Sequence, residues 1–351
     1  MTMKILNSPP NLFFFSSNST SPYRNLALEE FLLSVVKQDE CILYLWQNRR
    51  TVVIGVNQNP WKECHLKNLE EDGGFLARRM SGGGAVFHDL GNLNFTFLAH
   101  EAHYNVNRQL DVILCAVKKF GVQAEKSGRN DILVDGKKFS GNAFYHSQGQ
   151  CFHHGTLLVD VDMSNLARYL NVEPSKLVSK GVRSVRSRVI NLKDLAPQMT
   201  IELLRQAMIE AFGEIYGSAP LPLPAERLKA IGEIYGSAPL PLSNQLIRRI
   251  EEKYASWEWR LGRKLPFTAA YHTRFAWGDL TLQFCVERGL IKDAAAYSDS
   301  METAFIKAIG SALKGIPFSS KDINRALEDL ESLDPDEMLK NITNFINTLQ
   351  L

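Results

Sequence analysis

Between residues 78 and 89 the chain runs Arg78-Arg79-Met80-Ser81-Gly82-Gly83-Gly84-Ala85-Val86-Phe87-His88-Asp89. Three consecutive glycines between strand-like runs are costly in backbone entropy. They make sense where main-chain N–H groups must come close to a ligand, since successive N–H groups of this kind cradle anionic oxygens. The two preceding arginines add charge suited to a carboxylate or a phosphate. The plain alternative is a flexible hairpin with a surface arginine pair; the arginines and the histidine beside the glycines favour a ligand loop. No Gly-Lys-Ser/Thr follows, and the loop leads into a strand, which excludes a Walker A loop and a Rossmann fingerprint.

A second cluster is Ser127-Gly128-Arg129-Asn130-Asp131, a common turn composition whose Asn130 and Asp131 could bond a base or hold magnesium beside phosphates. It gains weight from Gly136-Lys137-Lys138-Phe139-Ser140-Gly141-Asn142-Ala143. Strand alternation sends Lys137 and Lys138 to opposite faces, so one can enter a pocket while the other stays in water. A lysine facing a glycine loop is a fixed cation where a phosphate and an acyl oxygen both gain charge. The adjacent His153 and His154 face opposite ways on a strand and cannot chelate one metal, so one inward histidine bonded in the core is expected. Cys151 is the candidate for an acyl-carrying nucleophile, although nothing in the sequence lowers its thiol pKa.

The elements that must position these groups follow from pattern. Ser21-Pro22 is a helix start, and apolar spacing predicts an amphipathic helix over 22–37. Runs at 41–46 and 51–54 predict a strand pair. Pro60 opens a helix to about Glu71, and strand character returns at 75–79. Strands at 85–87 and 93–98 are joined by a turn at 89–92. A helix over 109–120 stops at Gly121. Asp135-Gly136 predicts a hairpin between 131–134 and 137–139. A strand follows at 152–161 and a helix at 200–212. Hairpins mixed with helices, without strict βαβα alternation, predict an α+β fold with an antiparallel or mixed sheet packed by helices.

Residues 213–223 (Gly-Glu-Ile-Tyr-Gly-Ser-Ala-Pro-Leu-Pro-Leu) recur letter for letter at 232–242. Two copies are too few for a solenoid, and the prolines of the first favour an extended, solvated connector. Beyond lie a helix over 244–254, strands over 275–286 turning at 287–289, and helices over 301–313, 321–330 and 335–349.

At 351 residues the chain exceeds the ~100–200 of one domain, so a large domain and a smaller one are expected. Forty Lys+Arg against 38 Asp+Glu leave a formal charge of +2, which excludes a general nucleic-acid surface. No apolar run nears the ~20 residues of a membrane span. Five scattered cysteines without a CxxC argue against a disulfide framework or zinc ribbon and point to the cytoplasm.

The motifs at 78–92, 127–131, 138–143, 153–158 and 184–189, with 57–64 upstream and 256–259 and 274–278 downstream, together resemble lipoate–protein ligases of the LplA type in the biotin/lipoyl ligase superfamily. The resemblance implies a catalytic domain of that fold (1–212), a linker with the duplication and a helix (213–254), and a small α+β accessory domain (255–351). It implies that lipoate and Mg-ATP give lipoyl-AMP and pyrophosphate, and that the lipoyl group then passes to a lysine of a lipoyl domain, in E2 subunits of 2-oxoacid dehydrogenases or in glycine cleavage H protein. By similarity Arg79, Gly84, Ala85, Val86, Phe87 and Lys138 bind ATP, with Lys138 catalytic. Lipoate is expected against Lys138, Ser81, Gly82, Gly83 and His88, and Asn130 and Asp131 are candidates for adenine or Mg2+ contacts. The 184–189 segment resembles an adenylate-covering loop. Two alternatives are a cysteine-dependent octanoyl or lipoyl transferase of the same fold, working through Cys151, and a non-catalytic lipoate- or adenylate-binding protein. Biotin ligase is weaker, its Gly-Arg-Gly-Arg-rich loop being absent.

Overall fold

The computed structural model describes residues 11–128, 130–171, 189–224, 226–227, 242–261, 268–330, 333, 338–349 and 351. Most of the 184–189 segment and the second repeat therefore lie outside the described residues. The chain packs as two compact units that interleave in sequence: one holds residues 1–53, 65–77 and 86–256, the other 54–64, 78–85 and 257–351. The glycine loop thus belongs with the C-terminal module, and Lys138 with the larger unit.

The larger unit is built on a mixed eight-stranded sheet. Its strands are β1 (Asn11–Ser16), β2 (Glu40–Trp46), β6 (Asn92–His100), β7 (Glu125–Ser127), β8 (Asp131–Val134), β9 (Lys137–Ser147), β10 (Gln150–Leu158) and β11 (Leu221–Pro222), in the order β11-β1-β2-β6-β10-β9-β8-β7. Only the β11–β1 and β1–β2 pairings are parallel. The helices Val106–Lys118 and Ile201–Tyr216 pack together, and their apolar faces join the inward side chains of β2 and β6 in one core. The Pro22–Val35 helix packs on β6 and β10 with the Leu242–Ala255 helix against it.

That double cover corrects the expected amphipathic face of the Pro22–Val35 helix. Leu26, Ala27, Leu28, Phe31, Leu32 and Leu33 are all buried, and so are the polar Asn25 and Glu29. A helix enclosed by neighbours is apolar on most sides. Its start is as expected: Ser21 Oγ accepts from the Arg24 N–H, and Pro22 occupies the first turn.

β2 and β3 (Thr51–Ile54) are not partners. β3 lies between β4 (Phe75–Arg78) and β5 (Val86–His88) in a separate small sheet, and β2 lies between β1 and β6. The residues linking β4 to β5 therefore cross over β3, and the glycine run is a crossover loop instead of a hairpin. β5 and β6 likewise fall in different sheets. The single helix expected over 60–71 is broken into Pro60–Glu63 and Leu66–Glu71 by extended backbone at Cys64.

The first repeat copy is also ordered where a solvated connector was expected. Its Gly213 to Tyr216 complete the Ile201–Tyr216 helix, Gly217 ends it at φ 70°, and Leu221-Pro222 pair with Phe13-Phe14. Tyr216 and Leu223 are buried.

In the smaller unit β12 (Ala269–Phe275), β13 (Gly278–Glu287) and β14 (Leu290–Ser298) form an antiparallel meander. Leu280, Leu282, Phe284 and Ile291 meet Phe305, Ile306, Ile309 and Ile342 of the C-terminal helices in its core. No helix among the described residues is long and apolar enough to cross a membrane. All five cysteines are free thiols.

Candidate functional site

In the smaller unit the glycine loop is wound around Arg79. Arg79 Nε donates to Ser81 Oγ (3.1 Å) and Gly82 O (3.1 Å), and Nη2 to Gly82 O (2.7 Å) and Gly84 O (2.8 Å). A trans peptide points its C=O and N–H in opposite directions, so the N–H groups of Gly83 and Ala85 face away from the guanidinium. Gly83 N–H reaches Ser300 O at 3.4 Å. A Cβ on Gly82 would stand 2.3 Å from Ser300 O, one on Gly83 would meet Arg79 Nη2 at 2.9 Å at a φ of +90°, and one on Gly84 would meet nothing within 4 Å. The first two glycines are thus required by packing, and the third faces open space.

Arg78 is occupied in the same way. Its guanidinium donates to the carbonyls of Val56 (2.8 Å), Gln58 (2.7 Å), Trp259 (2.8 Å) and Arg260 (3.0 Å). Burial draws its pKa down to about 10, so it stays charged at neutral pH. The upstream motif at 57–64 meets the C-terminal module too: Ser298 N–H donates to Asn57 O, Asn57 Nδ2 to Thr303 O (3.0 Å), and Lys62 Nζ pairs with Asp279 at 2.8 Å.

In the larger unit the β8–β9 hairpin turns at Asp135 (φ 50°) and Gly136 (φ 72°), as the Asp-Gly pair demands. Lys137 is exposed, whereas Lys138 lies back over its strand. A Cβ on Gly141 would stand 2.8 Å from both Lys138 Cε and Nζ. Gly141 is therefore the seat of the lysine side chain, which ends 2.7 Å from Asp131 Oδ1. Each side chain keeps about a third of its surface exposed (35% and 35%), leaving the ammonium open to a ligand. Lys138 O accepts from Ile190 N–H at 3.0 Å.

Asn130 and Asn142 zip the 127–131 turn to β9. Asn142 N–H and Nδ2 both donate to Asn130 O (2.9 and 3.0 Å), and Asn130 Nδ2 donates to Asn142 O (3.2 Å). Asn142 Oδ1 lies 2.9 Å from His153 Nε2, and His153 Nδ1 lies 3.1 Å from the Gln109 side-chain amide. Both histidines of the 153–154 pair are buried, not one, because both faces of β10 are covered. On the other face His154 Nδ1 lies 2.8 Å from Glu29 Oε1, which also accepts from Thr96 Oγ1 (2.7 Å), and Thr96 Oγ1 accepts from Trp46 Nε1 (3.1 Å). Reasoning from sequence missed Glu29; its signal is a carboxylate set within the apolar run from Leu26 to Leu33.

His88 is buried with Nδ1 3.3 Å from Asn48 Nδ2 and its ring edge-on to Trp46. Phe87, in the neighbouring position, lines a cleft of about 570 Å³ with Arg49, Arg50, Asp89 and Leu90. Cys151 is 1% exposed with Sγ 3.1 Å from His146 Nδ1, and burial pushes its thiol up to about 11. It is a neutral thiol at physiological pH. Among the described residues, no group of three or more His, Cys, Asp or Glu is placed to hold a metal ion.

Residues 21–213 match the family model of the lipoyl protein ligase A/B catalytic domain, and residues 264–347 that of the bacterial lipoate protein ligase C-terminus. The chain is 40% identical over 327 residues to lipoate-protein ligase A of Psychrobacter cryohalolentis, spanning 93% of this chain and 94% of that one. Among solved structures it is similar to P. falciparum LipL1 in complex with lipoate (TM-score 0.81, 32% identity, 95% of this chain and 98% of that one). It is also similar to a bi-partite lipoate protein ligase of Thermoplasma acidophilum, described with its E2 lipoyl domain (TM-score 0.60, 26% identity, 73% and 98%).

Proposed function

Since the chain belongs to the lipoate–protein ligase family, we propose that it joins lipoate to ATP and then hands the lipoyl group to a lysine of a lipoyl domain. The carrying observation is Lys138, a partly exposed ammonium seated on Gly141 beside Asp131. In the first step a lipoate carboxylate oxygen bonds to the α-phosphorus of ATP and pyrophosphate departs. Two anions must approach, and a positioned cation offsets their repulsion. In the second step a neutral amine of the acceptor attacks the lipoyl carbonyl carbon, the bond from that carbon to the bridging oxygen breaks, AMP leaves with that oxygen and the electron pair of the bond, and the amine proton is released to solvent. Lys138 stabilises the charge that develops on the carbonyl oxygen and on AMP. No protein nucleophile is needed.

The nucleotide is assigned to Arg79, Gly84, Ala85, Val86, Phe87 and Lys138, with Arg79 acting by shaping the loop so that the outward Ala85 N–H meets anionic oxygens. Lipoate is assigned to Lys138, Ser81, Gly82, Gly83 and His88. Magnesium enters with ATP. Asp131 is already engaged by an ammonium, so no protein ligand set is assigned to the metal, and Asn130 is a candidate for the adenine. Acceptors are lipoyl domains of 2-oxoacid dehydrogenase E2 subunits and of glycine cleavage H protein, in the cytoplasm.

The test is pyrophosphate release from ATP with lipoate, octanoate and biotin in parallel. Release with lipoate and its loss in Lys138→Met are expected; release from biotin alone, or full activity in Lys138→Met, would overturn the assignment. The transferase alternative requires a reactive Cys151, which its burial disfavours. Cys151→Ser is expected to retain ATP-dependent ligation, measured by lipoylation of an acceptor domain on a mass shift.

A further inference from the structure

We propose that His153 is a positioning residue for Lys138, acting through Asn142 and the peptide that joins Asn130 to Asp131. The inference rests on the ligase assignment only in calling Lys138 catalytic.

Hydrogen-bond polarity can be followed from one end of the chain to the other. Asn142 Nδ2 donates to Asn130 O, so its Oδ1 is left as an acceptor. His153 Nε2, 2.9 Å from that oxygen, must then carry the proton. The ring is fully buried among Phe95, Phe97 and Phe144 at centroid distances of 5.3, 6.0 and 5.0 Å. Gln109 Oε1 stands 3.1 Å from Nδ1; a neutral ring protonated at Nε2 accepts at Nδ1, so this polarity requires the Gln109 amide turned over, with its nitrogen donating there. Gly155 leaves room for this arrangement, since a Cβ on it would stand 2.7 Å from Asn142 Oδ1 and 2.6 Å from the Phe95 ring.

The far end of the chain matters for chemistry. The Asn130 carbonyl lies in the same rigid plane as the Asp131 N–H. Two donors from Asn142 fix that plane, and with it the start of the Asp131 side chain that meets Lys138 at 2.7 Å. If His153 loses its N–H, Asn142 Oδ1 is left buried without a donor and the amide is free to turn over. Turning it withdraws the Nδ2 bond from Asn130 O and loosens the carboxylate that holds the ammonium. A filler of the same size cannot restore this, because what is transmitted is the direction of a hydrogen bond.

The experiment uses the full chain with two variants. His153→Phe keeps the ring volume and removes the donor; Asn142→Asp keeps the acceptor and removes the Nδ2 donor. Each is compared with wild type in lipoate-dependent pyrophosphate release and in the 13C NMR signal of reductively methylated Lys138, identified with Lys138→Arg. We expect kcat to fall about tenfold to a hundredfold, the scale of a small misplacement of a reacting group, with KM for lipoate little changed. We also expect the Lys138 signal to move in both variants toward its position in Asp131→Asn. An unmoved signal in a folded variant, or unchanged kcat, overturns the inference. Should one variant fail to fold, the other decides. A wild type that releases no pyrophosphate would overturn the ligase assignment instead, while the Lys138 signal still decides whether His153 positions it.

Discussion

At the scale of the residue, the glycine loop separates two kinds of requirement. Gly82 is fixed by packing, because its missing Cβ is where Ser300 O lies; Gly84 faces open space. Gly82→Ala is expected to destabilise the protein by about 1–3 kcal/mol through overpacking, measured by urea unfolding. Gly84→Ala is expected to leave stability within about 0.5 kcal/mol yet raise KM for ATP. Equal stability losses in both would remove the distinction. His153 gives a pH test. Burial holds its pKa down to about 3 against an ordinary 6.5. The unfolded imidazole takes up a proton below pH 6.5 while the folded one does not, so stability is intact above 6.5 and declines as pH falls toward 3. The slope is about 1.4 kcal/mol per pH unit for one proton. His153→Phe is expected to remove that part of the acid sensitivity between pH 6 and 4.5, read as the difference in urea midpoints from wild type. Part of this was legible: strand alternation put the two lysines of the 137–138 pair on opposite faces, and the family resemblance pointed to Lys138. The orientation of Arg79 was not, since residue type tells that a guanidinium wants oxygens but not whether they come from a ligand or from the loop itself.

At the scale of the element, local signals served well and pairing did not. The Asp-Gly turn and the Ser21-Pro22 start are properties of a few neighbouring residues, and each appears as the sequence suggests. Which strands pair is a long-range matter, and β2 and β3 went to different sheets despite their proximity in sequence. The duplication shows the same limit, because the first copy gains its strand only from the exposed edge of β1. Removing residues 224–242 or residues 213–231 yields the same shortened chain, with one copy left. Shortening a connection carries little entropy cost, but it also deletes Arg227, whose guanidinium holds the buried Glu40 at 2.7 and 2.8 Å. The shortened chain is expected to lose about 3–5 kcal/mol, and Arg227→Ala in the full chain is expected to lose the same amount. Thermal unfolding of the two variants checks this; a deletion much worse than Arg227→Ala would mean that the second copy itself supports the fold.

At the scale of the whole molecule, the smaller unit draws two short pieces of early sequence, 54–64 and 78–85, into a body otherwise built from residues after 256. The bonds are specific: Arg78 to Trp259 and Arg260, Asn57 to Thr303, Lys62 to Asp279, Gly83 to Ser300. A fragment ending at Ser256 would therefore keep every letter of the glycine motif while stripping away the carbonyls and backbone that brace it. Such a truncation is not a trimmed enzyme but an incomplete one, and supplying residues 257–351 as a separate polypeptide is the natural way to make it whole.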